Sequence, residues 1–178
     1  MKRQNTESGR TMLEMLGVLA IMGVIMYGAI AGIGFGVESY KINATYNMIE
    51  DLSQGIVDLY SWSRSYGPTG AGAANSLVLV ACKNNVVECN SRGDEITSQW
   101  NTGINVTSEA GGAYFAIRLV NLSRLACGRL RDMTYSQLCV RKGNDDGCPV
   151  DGDGHKIIAD VSDCTRTDGE CNLVLISL

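Results

Sequence analysis

The sequence predicts an α+β protein: one long N-terminal α-helix packed on a small, mainly antiparallel β-sheet head with disulfides. Three observations predict it. An uncharged apolar run of 23 residues, Met15 to Val37, lies near the start and leads into an amphipathic helical pattern. The second half of the chain alternates over short stretches that suit strands. Seven cysteines accompany a single histidine, which favours disulfides in an exported chain over a metal site.

Composition narrows the function. At 45% hydrophobic and 19% charged residues the chain is too apolar to be disordered, and its 178 residues suit one domain with an appendage. Net charge is −4, so there is no basic footprint and no nucleic-acid partner is expected. The lone histidine, His155, removes most histidine-based catalysis, and it reads as a surface residue at a strand start. No Ser-His-Asp order, phosphate-binding loop or dinucleotide fingerprint is present, so the sequence predicts no enzyme, no catalytic residue, no cofactor and no metal.

The helix comes first. As a helix the apolar run spans roughly 34 Å, enough for a bilayer core of about 30 Å. It is too long for the apolar region of an ordinary signal peptide and has no A-x-A site at its end. A soluble core helix is usually shorter and carries a polar face. Lys2, Arg3 and Arg10 precede the run and Glu38 follows it, which places the N-terminus in the cytoplasm and the bulk of the chain outside the inner membrane. Glu14 sits at the edge of the run, where an unpartnered carboxylate costs on the order of 2 to 3 kcal/mol at bilayer depth. It either reaches the headgroups or meets a partner from another subunit. Gly28, Gly32 and Gly36 form a small-x-x-x-small ladder for close helix packing. Each glycine lowers helix propensity in water by up to about 1 kcal/mol, so the helix is expected to loosen between Gly32 and Gly36.

Beyond Glu38 apolar residues recur every three or four positions: Ile42, Tyr46, Ile49, Leu52, Ile56 and Leu59. Lys41, Asn43, Asn47, Glu50, Asp51 and Asp58 fall between them. This amphipathic stretch is expected to end near Tyr66-Gly67-Pro68, giving one helix from about residue 11 to 66, roughly 80 Å long.

In the head, residues 67–76 read as a small-residue loop and Ser76 to Cys82 as a short strand or helix. Asn101 to Thr107 and Gly112 to Leu119 read as strands, the second a central one. Ser123 to Met133 reads as a short amphipathic helix. His155 to Val161 and Asn172 to Leu178 are further strands. Cys82 and Cys89 bracket six residues, Cys164 and Cys171 six, and Cys139 and Cys148 eight. Local loops Cys82–Cys89 and Cys139–Cys148 fit this spacing, but spacing leaves the connectivity open, and the odd count implies one free thiol or one intermolecular bridge. The acidic stretch Asp145-Asp146 to Asp151-Gly152-Asp153 reads as a solvated turn, since it lacks the bidentate Glu of an EF-hand.

The stretch Ser8-Gly9-Arg10-Thr11-Met12-Leu13-Glu14-Met15-Leu16-Gly17-Val18-Leu19 resembles the class III prepilin signal of type IV pilins. The resemblance implies that residues 1–9 are a leader, that a dedicated prepilin peptidase cuts between Gly9 and Arg10 on the cytoplasmic face, and that Glu14 is the fifth mature residue. The first mature residue in the family is usually Phe or Met and is N-methylated; here it is Arg10. It further implies a transmembrane and filament-core helix over 10–37, an amphipathic helix over 38–66 and a globular α+β head over 67–178, the lollipop architecture of a pilin. Arg10 and Glu14 would then set assembly register, each chain's freed α-amino group meeting a neighbour's Glu14. The expected partners are further copies of the chain in a helical filament, the prepilin peptidase, an assembly platform and the inner membrane before assembly. The expected destination is an extracellular pilus, with cell adhesion as its class of role.

A second resemblance covers the middle of the head. Trp100-Asn101-Thr102-Gly103-Ile104-Asn105-Val106, then Tyr114-Phe115-Ala116-Ile117, then Leu122-Ser123-Arg124-Leu125-Ala126-Cys127 is similar to type IVb pilins. It implies a disulfide from Cys127 to Cys164, with Cys171 as the alternative. Two other readings share some of these features. One is a minor pilin or type II secretion pseudopilin, with the same signal and helix. The other is a membrane-anchored extracytoplasmic binding module that never polymerises.

Overall fold

The computed structural model describes residues 7–67, 76–140, 148 and 171–177, and of 7–11, 76, 171 and 172 the backbone alone. The elements in chain order are α1 (Glu7–Tyr60), α2 (Ser76–Lys83), β1 (Ile96–Thr97), β2 (Gly103–Glu109), a 3₁₀ turn (Ala110–Gly112), β3 (Tyr114–Leu122), α3 (Arg124–Asp132), β4 (Leu138–Val140) and β5 (Cys171–Ser177). The chain is α+β, its long helix packing against a five-stranded antiparallel sheet. It divides into two compact units, Met1–Tyr40 and Lys41–Leu178.

In the first unit the described structure is helix alone. Every side chain from Met12 to Val37 is exposed, and the segment is apolar on all sides apart from Glu14, so none of the described residues covers it. The helix runs unbroken through Gly32–Gly36, where loosening was expected. Glycine weakens a helix but, unlike proline, keeps its amide donor, so the ladder of i to i−4 bonds survives.

In the second unit α1 changes character. Ile42, Ile49, Leu52 and Ile56 are at most 2% exposed, because their spacing turns one face of the helix onto the sheet. Leu59, expected on that stripe, lies exposed instead. The helix stops at Tyr60 rather than near Tyr66. Serines make the difference: the Ser61 amide and hydroxyl both donate to the Asp58 carbonyl, and the Ser63 amide donates to the Tyr60 carbonyl, so tight turns replace helical bonds.

α2 is a helix, which settles the open choice over 76–82. Leu77, Val78 and Ala81 fall on one helical face and are buried.

The strand order is β1-β2-β3-β5-β4, every pair antiparallel. Pairings such as Val106 with Ile117 and Ile117 with Leu175 put alternate residues on one face. That face, with Ile104, Phe115, Leu119 and Leu173, joins α1, α2 and α3 in the main core. Ala116, Val174 and Ile176 take the opposite face and pack with Cys148 in a second, smaller cluster. The β2–β3 connection passes through Gly112 at φ +92°, where a Cβ would collide with Ser65 and where the carbonyl accepts the Tyr66 amide at 2.8 Å. A register shift between Leu119 and Leu122, with Asn121 at φ +57°, turns both leucines inward. Ser123 then caps α3, its side chain accepting from the Ala126 amide.

β2, β3, α3 and β5 lie within a few residues of their predicted positions, whereas β1 and β4 were not foreseen. The predicted strand His155 to Val161 and the acidic residues Asp145, Asp146, Asp151 and Asp153 lie outside the described residues.

Candidate functional site

The helix surface up to Val37 is the first candidate. Met12, Leu13, Met15, Leu16, Leu19 and Ile21 are each more than 60% exposed, as are Val24, Ile25, Met26, Ile30, Ile33 and Phe35. An apolar surface of this extent in water is untenable, so lipid or other helices must cover it. The helix is long and apolar enough to cross a membrane.

Two sequence features meet on this surface. Gly28, Gly32 and Gly36, four residues apart, fall within about 80° of helix circumference. Glu14 precedes Gly32 by five full turns at about 3.6 residues per turn, so both share one angular position. The carboxylate and the small-residue ladder therefore lie on one side of α1. Nothing stands within 4 Å of the space above any of these glycines. Glu14 is exposed. Gly9 and Arg10 lie within the helical backbone of α1, and their side-chain surroundings lie outside the described residues.

The head is tied together covalently. Cys82–Cys89 and Cys139–Cys148 are disulfides with Cα separations of 5.7 and 5.5 Å. The first pins the loop after α2. The second holds Cys148 against the outer face of β3 and β5, where it packs with Ala116, Val174 and Ile176. Cys127 is buried and also disulfide-bonded. The choice between Cys164 and Cys171 as its partner falls outside the described side chains.

A polar clamp joins α1 to the turn after α3. Tyr46 donates to the Thr134 carbonyl at 2.8 Å, and the Glu50 carboxylate accepts the Ser136 amide at 2.9 Å. Tyr135, buried between them, donates to the Leu130 carbonyl at 2.9 Å. Burial, with the nearby Tyr46 and Glu50, pushes the Tyr135 phenol well above its ordinary range, so it stays protonated and keeps its donor role.

Two exposed features escape sequence reasoning. Trp62 is 99% exposed on the turn that ends α1, and Leu125 is 47% exposed on α3 between Arg124 and Arg129. The only signal for Trp62 is its setting, one aromatic among Ser61, Ser63 and Arg64.

No family model and no curated protein matches the chain. An apolar N-terminal helix followed by a disulfide-bonded antiparallel head is a pilin-like architecture. Together these features mark a membrane-anchored extracytoplasmic protein.

Proposed function

We propose that this chain is a pilin, a structural subunit that polymerises into a type IV filament, of the IVb kind, after its leader is removed. The observation that carries this reading is Glu14, five residues after Gly9, at the head of an exposed apolar helix and in line with the glycine ladder.

The chemistry follows from those positions. Cutting after Gly9 frees an α-amino group at Arg10. Inside a bundle of apolar helices that cation needs an anion, and Glu14 needs a cation. A neighbour's N-terminus satisfies both and fixes the axial offset of one copy against the next. A buried pair of this type contributes more to register than to stability. The ladder Gly28, Gly32 and Gly36 lets the same helices approach closely. Before assembly the same surface is satisfied by lipid in the inner membrane, with the leader inside and the head outside. Extraction into the filament draws on a prepilin peptidase and an assembly platform, and the work comes from an ATPase elsewhere. A minor pilin or type II secretion pseudopilin shares every one of these parts and differs in abundance.

The test is intact mass and N-terminal sequencing of protein from sheared surface filaments without reductant. An N-terminus at Arg10, with a mass about two protons lower per disulfide, is the expected result. Uncut protein confined to the membrane fraction would overturn the filament reading in favour of an anchored binding module. Processed protein that is scarce in sheared filaments would favour the minor pilin or pseudopilin.

A further inference from the structure

Trp62 is the most exposed large apolar side chain among the described residues, and it is rigidly presented. The Ser61 amide and hydroxyl donate to the Asp58 carbonyl, the Ser63 amide donates to the Tyr60 carbonyl at 2.8 Å, and the Ser63 hydroxyl donates to the Ser65 carbonyl at 2.9 Å. The ring ladder Tyr60–Tyr66–Phe115, with centroids 5.8 and 5.0 Å apart, anchors that turn to the first residues of β3. Asp58, one turn before Trp62, and Leu59 are also exposed.

At the other end of β3 lies a surface of complementary chemistry. Arg124, Leu125, Gly128, Arg129, Asp132 and Met133 line an open hollow of about 680 Å³ beside α3, with the Asp132 carboxylate ion-paired to Arg131 at 3.1 Å. Leu125 and Met133 give it apolar walls, and Gly128 leaves its floor open, with nothing within 4 Å of where a Cβ would stand. Arg124 and Arg129 are both exposed at its rim. Arginine stacks on indole faces, and tryptophan and arginine are the residue types that dominate interface energetics. The Asp58 carboxylate supplies the charge that such a rim attracts.

The two features cannot meet within one chain. The turn after α3 is bonded to α1 at Glu50, ten positions and about 15 Å of helix axis before α1 ends at Tyr60, and Trp62 lies beyond that end. Trp62 itself touches nothing.

We propose that Asp58, Leu59 and Trp62 of one copy dock into the α3 hollow of a second copy, with the indole between Arg124 and Arg129. The contact joins two different surfaces of the same chain, so it is heterologous and repeats without closing on itself, the geometry an open helical assembly uses. It rests on the filament reading above and adds to it a contact between heads.

The test uses the full chain in cells that assemble filaments. A photo-reactive phenylalanine derivative replaces Trp62 in one strain and Val24, on the apolar helix, in a second. The expected result is a crosslink from position 62 to the 124–133 segment of a second copy, mapped by mass spectrometry, alongside copy-to-copy crosslinks from position 24. Crosslinks from 24 alone, or from 62 to any other segment or protein, would overturn the docking while leaving the filament intact. No copy-to-copy crosslink from either position would remove both readings. In parallel, Trp62→Ala, at a side chain that packs on nothing, should lower filament recovery by roughly tenfold with disulfides unchanged on a non-reducing gel. Asp58→Arg should lower it too, and combining it with Arg129→Asp should restore it. Wild-type recovery for Trp62→Ala would overturn the proposal.

Discussion

Gly55 and Val86 approach so closely that a Cβ on Gly55 would overlap the Val86 side chain. Glycine is therefore required in mid-helix, and it lets the loop closed by Cys82–Cys89 lie directly on α1. Two effects oppose each other in Gly55→Ala. Alanine improves helix propensity by about 1 kcal/mol, whereas overpacking against a stiff β-branched side chain costs about 1 to 3 kcal/mol. The clash should win, and thermal unfolding of the purified chain in detergent should show a lower midpoint. A higher midpoint would mean that the loop yields freely.

Removing the Cys82–Cys89 bridge tests how much that loop depends on its staple. For a closed loop of this size the chain-entropy account gives about 2 kcal/mol. The double variant Cys82→Ser, Cys89→Ser should lose that much in a denaturant titration. Because the loop lies against α1 through Val86, proteolysis should then cut first between Lys83 and Asp94.

Tyr135→Phe separates a hydrogen bond from a packing contact. The ring keeps its tilted contact with Tyr46, at 5.2 Å between centroids. The lost bond to Leu130 should cost about 0.5 to 1.5 kcal/mol. The pH dependence has a definite sign. In the unfolded chain the phenol ionises at its ordinary value of about 10, whereas in the folded chain burial keeps it protonated to higher pH. The unfolded state therefore binds fewer protons above pH 10, and stability falls as pH rises from there. Tyr135→Phe should flatten that alkaline limb in thermal unfolding followed across pH 8 to 11, a range set by phenol ionisation near about 10. An unchanged limb would assign it to other groups.

Glu14→Gln keeps the shape of the side chain and removes its charge. Membrane anchoring should persist, since the apolar run becomes more apolar. Filament recovery should fall by roughly tenfold or more if the carboxylate sets register, because a neutral amide leaves the neighbour's ammonium unpaired. Comparing sheared and membrane fractions on one blot reads both effects, and full recovery would remove Glu14 from assembly.

The parts of this fold that are legible in the sequence are those with a sustained period. The α1 stripe from Ile42 to Ile56 repeats over four turns, β2 and β3 alternate over part of their length, and β5 is legible as an apolar run buried on both faces. β1 and β4, two and three residues long, carry no period of their own and exist only because β2 and β5 offer edges to pair with. The end of α1 is hidden for a different reason. Trp62 and Tyr66 prolong an apolar pattern, and serine hydroxyls decide the stop. At the candidate site, Glu14 and the glycines share a side because the helix stays continuous through Gly32–Gly36, where the glycines themselves point to loosening. Trp62 and Leu125 are opaque, since residue type favours burial and only tertiary packing reveals which apolar side chains are left out.

The last strand of the described chain, β5, does not sit at an edge. It lies between β3 and β4 and makes both of their pairings, from Ala116 with Ile176 to Cys139 with Ile176. β3 must therefore wait, its buried face half-covered, until some fifty intervening residues have followed. A chain made from its N-terminus onward has its sheet open until the final strand closes it. Folding of the head is thus timed by completion of the chain: one arrested before Cys171 holds a β2–β3 hairpin whose inner edge is bare, a ready target for extracytoplasmic chaperones and proteases.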